Sequence, residues 1–526
     1  MGACDGTNKA KVNSKQFFHV AKTINQNNTT FQNNNNLKLE FTIENCIPEN
    51  RYQVIAQFLN KNLEPFLTEI VKSHGNLIIF NSCYLCQYLF ERAQMMKITV
   101  NKNGKSLGSF TTYLGMIVGS PNSILRTNIQ MGNPENIIIT AQGITNVNTS
   151  LMVNFIVKPN KNVNFKDINN KISYIITGNG RKVYSSESLS KQGQFKSSTI
   201  PVALIEPQFE ISFFNCKQEK ILTKSETINS FIEQNNRVYL TLNINKNDYY
   251  IYNRSQILQQ YSFVDYLKNG VQLGLSIGID FTSSNGQINE PNSLHSLGSG
   301  TYNDYEQAIS SCGLILAFYD YDQLFPAYGF GAIINNNPKP NMCFNINFND
   351  DPNIYTIDNV IKEYRNCLKK IIFAGPTEFC PMIRKEIETI RNENNPLIYH
   401  ILMILTDGII VDQQATMDAI IEASFLPFSL IIIGIGNDHF QEMIELDGDE
   451  APLISSNGTK IMRDVVQFVR FNTYRNNPDE LAAKVLEELP NQIVQYYTMI
   501  NIFPNNLQNA QLRTKTMMNN NNIQNF

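Results

Sequence analysis

The string Asp280-Phe281-Thr282-Ser283-Ser284 sets a carboxylate and two hydroxyls on alternate residues, directly after the apolar run Leu273-Gly-Leu-Ser-Ile-Gly-Ile279. Alternate side chains of an extended segment turn the same way, so Asp280, Thr282 and Ser284 converge while Phe281 turns into the core. Two distant residues complete an oxygen shell: Thr377, exposed by the turn at Gly375-Pro376, and Asp407, at the end of the strand-like run that begins at Tyr399. Hard oxygen donors suit Mg2+ or Mn2+ in an octahedral shell, whereas zinc calls for histidine or cysteine. Taken singly, each residue reads as a cap or turn former. The set carries the case.

The elements that must hold these residues read as an α/β, Rossmann-like domain with a mostly parallel sheet. Strands are expected at 273–280, 330–334, 401–406 and 428–435, and helices at 304–318, 358–370, 379–393 and 416–424, with a last helix at 478–488. Continuous Ile/Leu runs fit strands covered on both faces. Asp280 and Asp407 then fall at carboxyl ends of strands, where open α/β sheets bind ligands. Ahead of this domain, short alternating runs at 37–43, 52–58, 76–80, 96–100 and 136–141 argue an antiparallel β-sandwich. A second series at 151–157, 171–176, 209–214 and 237–244 argues another. The expected organisation is a flexible terminus (1–36), two tandem sandwiches (37–145 and 146–260), the α/β domain (261–490) and a polar, disordered tail (491–526).

Several strings in this order resemble the copine family: Tyr261-Ser-Phe-Val-Asp-Tyr266, Ile279-Asp-Phe-Thr-Ser-Ser-Asn-Gly286, Tyr305-Glu-Gln-Ala308, Phe325-Pro-Ala-Tyr-Gly-Phe-Gly331, Gly375-Pro-Thr-Glu-Phe379, Leu446-Asp-Gly-Asp449 and Arg463-Asp-Val-Val-Gln-Phe468. The resemblance is strong from residue 261 to 471 and weaker before it, although Leu114-Gly-Met-Ile-Val-Gly-Ser-Pro121 also looks like a copine segment. It implies two C2-type domains followed by a von Willebrand factor A domain with a metal-ion-dependent adhesion site (MIDAS). In such a site Asp280, Thr282, Ser284, Thr377 and Asp407 would hold the ion, leaving one position for an acidic side chain of a partner protein. The family also implies Ca2+-dependent phospholipid binding and roles in membrane trafficking and signalling.

The C2-type loops depart from that pattern. Calcium needs six to eight oxygens with much negative charge. The loops at 44–50 and 101–104 carry two glutamates, a lysine and no aspartate; in the second unit Asp167 is nearly alone, and Asn215-Cys-Lys-Gln-Glu-Lys220 stands where an aspartate-rich loop is expected. Ligand count points to sandwiches that hold position or bind partners.

Composition bounds the rest. In 526 residues, 43 Lys+Arg against 46 Asp+Glu leave a net charge of -3, so no global field favours nucleic acid. Nine cysteines without a framework point to reduced thiols, and Cys83-x-x-Cys86 lacks the second ligand pair of a zinc site. Apolar runs are far shorter than the ~18 residues of a spanning helix. Met1-Gly2-Ala3-Cys4 offers Gly2 for myristoylation and Cys4 for palmitoylation, with Lys9, Lys11, Lys15 and Lys22 nearby for anionic phospholipid. Asp447 and Asp449 read as a turn, and His295, His400 and His439 show no catalytic pairing. The expectation is a non-enzymatic, cytoplasmic adaptor, peripheral on the plasma membrane or other membranes. A cytosolic scaffold without lipid binding is the alternative. A metal-dependent hydrolase is more remote, because no general base accompanies the oxygens.

Overall fold

The computed structural model describes residues 35–507, apart from segments 60–62, 130–133, 144–147, 160–171, 191–192, 216, 218, 245–246, 298–299, 336 and 449–450. Gly2, Cys4, the early lysines, Asp167 and Asp449 lie outside the described residues.

Alternation builds the first unit. Along Arg51–Phe58 every second side chain is buried, because a pleated strand with one covered face must segregate its residues with period two. One antiparallel sheet pairs Asn35–Glu44 with Asn136–Gly143, Leu77–Ile79 and Tyr84–Tyr88, and adds Ile124–Asn128 at its edge. The other is centred on Arg51–Phe58 and Met95–Lys102, with Lys105–Tyr113 beyond. Phe41 and Phe66 stack between the layers at 6.0 Å.

The second unit is also antiparallel, and its strands fall into three small sheets. The run 151–157, expected as one strand, splits at Asn154 into Asn148–Val153 and Phe155–Pro159, which join different sheets. Its core is aromatic: Phe155 packs edge-on against Tyr174 and Phe231.

In the third unit Gln272–Asp280 lies between Leu324–Phe330 and Ile398–Thr406, all parallel, with Phe428–Gly434 and Val466–Arg470 continuing the sheet in parallel. Both faces are covered. Ile401, Met403 and Leu405 pack into one core with helices Asp304–Leu316, Ile357–Cys367 and Pro478–Leu486. Leu402 and Ile404 pack into another with Cys380–Glu393 and Gln413–Ala423. The strand expected at 330–334 is Leu324–Phe330, with a separate short strand Ala332–Ile333 paired to Ile372–Phe373. Pro326 argues against a central strand, but the parallel pairing begins only at Ala327, and Pro326 faces Asn353 on the outer side. Helix ends shift by a few residues from the expected bounds. Residues 491–507, read as the start of a polar tail, instead include helix Leu489–Met499, which buries Ile493, Tyr496 and Tyr497; their apolar spacing is masked by intervening Asn and Gln. Among the described residues no helix is long and apolar enough to cross a membrane.

The first sandwich shares its core with the α/β domain. Its short helix Leu114–Gly119 packs against the turn Ala317–Tyr319 that follows helix Asp304–Leu316. The hydroxyls of Tyr88 and Tyr319 are hydrogen-bonded, Phe90 meets Phe263 edge-on at 4.9 Å, and Arg92 pairs with Glu480 at 2.6 Å. A Cβ at Gly119 would overlap the Phe318 carbonyl. Gly119→Ala should therefore destabilise the chain by roughly 1–3 kcal/mol in urea unfolding; an unchanged midpoint would mean the two units do not pack this way.

Inside the sheet, His400 lies 2.9 Å from Glu386 and 3.3 Å from Glu393. Burial opposes its charge, but hydrogen bonds to the two carboxylates prevail and raise it to about 9. A group raised on folding stabilises fully below its unfolded value near ~6.5 and loses that contribution as pH rises through the folded value. The stability gap between wild type and His400→Gln should shrink by roughly 3 kcal/mol from pH 6.5 to 9.5. A gap that grows with pH would contradict the assignment.

Candidate metal centre

Strand order places the site. The chain leaves Gln272–Asp280 for Leu324–Phe330 on one side and later returns to Ile398–Thr406 on the other. The loops beyond neighbouring strands diverge there and leave a crevice. Asp280 ends the central strand and Asp407 directly follows its neighbour.

One hydrogen-bonded chain joins most of the expected residues. Asp280 Oδ1 accepts from the Thr282 N–H at 2.8 Å and from Thr282 Oγ1 at 2.6 Å. Ser284 Oγ donates to Asp407 Oδ1 at 2.9 Å. Each hydroxyl has thus directed its only proton at a carboxylate, and the two oxygens face one another at 2.9 Å. Thr377 is brought alongside by backbone. The Ser283 N–H donates to the Ala374 carbonyl at 2.8 Å, and the Val411 N–H to the Thr377 carbonyl at 3.0 Å. Asp280 is fully buried and Thr282, Thr377 and Asp407 nearly so, while Ser284 is exposed. The cluster opens to solvent on the Ser284 side.

Electrostatics favour a cation. Burial raises the Asp280 carboxyl above its ordinary range. Burial and then the charge of Asp280 push Asp407 up to about 7. Among the described residues neither forms an ion pair with a basic side chain. Two converging carboxylates with facing hydroxyl lone pairs fit an oxygen-bound dication, which would neutralise both charges. No group of three or more His, Cys, Asp or Glu suited to a metal occurs among the described residues; the candidate donors are two carboxylates and three hydroxyls.

Sequence reasoning missed the residues that hold this set. Thr406 donates to Asp280 Oδ2 at 2.7 Å. His295, which the sequence left isolated, is buried beneath the site, with Nε2 2.9 Å from the Asp280 carbonyl and Nδ1 2.7 Å from the Tyr364 hydroxyl. Burial pushes its imidazole down to about 3. A neutral ring facing a carbonyl must carry its proton on Nε2, so Nδ1 accepts from Tyr364. Tyr305 donates to Asn285 at 2.6 Å, and Asn285 donates to the Thr282 carbonyl at 3.2 Å. Gly331, with φ +73°, passes so close that a Cβ would overlap Thr282 Cγ2. The strings around Asn285, Tyr305 and Gly331 were visible; their roles required the fold.

Other candidates come apart. Cys83 and Cys86 are half-buried and form no disulfide. Asp447, read as a turn residue, instead ends helix Gln441–Asp447, and its Oδ1 accepts the Phe468 N–H at 2.9 Å. The first sandwich's loops at 44–50 and 101–104 do meet, through Asn103 and Asn50 at 2.6 Å. There, however, Glu44 pairs with Arg126, Glu49 with Lys72, and the buried Glu135 with Lys102 at 2.8 Å.

The copine family model matches residues 293–505, a span that holds Thr377 and Asp407 and begins just after the Asp280 loop. Copine-A of Dictyostelium discoideum is 40% identical over 253 residues, which is 47% of this chain and 42% of that protein. The chain thus spans under half the length of that curated relative. Among solved structures it is similar to the tandem C2 domains of extended-synaptotagmin 2, at 8% identity and TM-score 0.19 over 47% of this chain and 100% of that one. It is also similar to the manganese-loaded TRAP protein of Plasmodium vivax, at 13% identity and TM-score 0.25 over 39% of this chain and 70% of that one. A mussel-byssus proximal thread matrix protein 1 with a zinc-occupied MIDAS motif matches at 13% identity and TM-score 0.24, over 41% of this chain and 46% of that one. Scores this low assign neither fold, and the strands themselves describe the units. The domain match and the Copine-A relative show that residues 293–505 are similar to a copine domain.

Proposed function

We propose that this protein is a non-enzymatic adaptor whose α/β unit is a von Willebrand factor A-type domain that binds partner proteins through a divalent metal. Asp280, Thr282, Ser284, Thr377 and Asp407 would hold Mg2+ or Mn2+, which when bound supplies a positive position for an acidic side chain of the partner. The observation that carries this reading is the pair of buried carboxylates that converge with no basic side chain to neutralise them among the described residues. Asp280 and Asp407 provide the charge. Thr282 and Ser284 orient the carboxylates through their hydroxyl protons, and exposed Ser284 opens the site toward the partner. His295 and Thr406 hold Asp280 from behind. His295 is not placed as a general base, since it commits both ring nitrogens to Tyr364 and the Asp280 carbonyl.

In this reading the protein is cytoplasmic and peripheral on membranes. Its sandwiches are C2-type units that meet anionic phospholipid, and acylation at Gly2 or Cys4 would add anchorage. The salt-bridged glutamates of the first sandwich argue against a calcium switch there, since Lys102 already neutralises the buried Glu135.

Ser284→Ala removes one exposed donor and no core contact. It should weaken Mn2+ binding about 10-fold or more in isothermal titration calorimetry, with the melting temperature of the metal-free protein nearly unchanged. Equal affinity would remove Ser284 from the site. Unacylated protein should co-sediment with phosphatidylserine vesicles to the same extent in calcium and in chelator at fixed magnesium. Calcium-enhanced pelleting would restore the family's calcium response.

A further inference from the structure

The loop that follows Asp407 is held at both ends and exposes apolar side chains between them. Asp407 accepts from Ser284, the Val411 N–H donates to the Thr377 carbonyl, and the Asp412 carboxylate accepts the Phe379 and Cys380 N–H groups at 3.2 and 2.8 Å. Ile410 is 4% exposed and fastens the middle into the core, while Ile409 and Val411 on either side are 55% and 65% exposed. Single exposed aliphatics are ordinary on a protein surface. Two on a loop fixed this firmly, two and four residues from a proposed metal ligand, form a preorganised apolar surface that follows the charged position in the chain.

We infer that Ile409 and Val411 are specificity residues of the partner site, and that the partner's recognition element is a carboxylate flanked by a bulky apolar side chain. This rests on the metal-centre reading above and adds what that reading leaves open, namely which acidic segments are chosen. The choice of occupant follows from charge and position. Once Asp280 and Asp407 are neutralised by a dication, the open side favours one negative group. A segment that places its carboxylate there must run over a neighbouring surface, and the loop after Asp407 offers Ile409 and Val411 to it. A polar flanking residue would leave Ile409 and Val411 in water, whereas an apolar one removes both surfaces from it. The loop loses little entropy on binding, because hydrogen bonds and Ile410 already fix it.

The test uses the full chain loaded with Mn2+ and two fluorescent peptides, one with aspartate between glycines and serines and one with aspartate between leucines. Anisotropy should show the leucine-flanked peptide binding roughly 10-fold tighter. Ile409→Ser/Val411→Ser should abolish that preference while Mn2+ affinity and binding of the glycine-serine peptide stay the same; each single variant should lose part of it. Equal binding of both peptides by wild type, or a preference that survives the double variant, would overturn the inference and leave the metal centre intact. If Mn2+ binds but neither peptide does, or if Mn2+ itself does not bind, the proposed partner site fails and the inference falls with it.

Discussion

Asp280 and Asp407 stand at the carboxyl ends of adjacent parallel strands, and the rest of the α/β unit is arranged around keeping those two negative charges buried together. Burial in a poorly hydrated crevice disfavours the charged form of each, and the charge of Asp280 adds to that effect at Asp407, so both carboxyls are displaced upward. The fold tolerates the cost because other interactions hold each group in place. The central strand is locked by parallel pairing on both sides. Thr282 and Thr406 hydrogen-bond the two oxygens of Asp280 from opposite sides. A neutral histidine grips its backbone carbonyl from below.

That support extends beyond the site. Helix Asp304–Leu316 begins beside the Tyr305–Asn285 hydrogen bond that steadies the Thr282 loop. The turn after its other end carries Tyr319, bonded to Tyr88 of the first sandwich. One 13-residue helix therefore joins the Thr282 loop to the sandwich contact. The second sandwich forms its own aromatic core.

Much of this was legible in the residues. Oxygen donors on alternate positions after an apolar run gave the Asp280 loop, and continuous Ile/Leu runs gave the parallel strands, because both signals are local. Thr377 could be placed only by motif, since what brings it to the site is a backbone bond to Val411 across the crevice. His295 looked isolated because its partners, Asp280 and Tyr364, are separated from it by 15 and 69 positions. The strand around Pro326 and the helix at Leu489–Met499 were misplaced for a different reason. There, long-range packing overrode a local cue, namely a proline in one case and a polar composition in the other.

The central claim is that the two carboxylates converge to hold a divalent ion. Electron paramagnetic resonance of Mn2+ titrated with the full chain tests it most directly, because bound manganese leaves the free-ion signal and can be returned by competing Mg2+. The account predicts one Mn2+ removed per chain, displaced by excess Mg2+, and no removal by folded Asp280→Asn. Wild-type protein that leaves the free signal untouched, or an Asp280→Asn variant that binds as well as wild type, would contradict it.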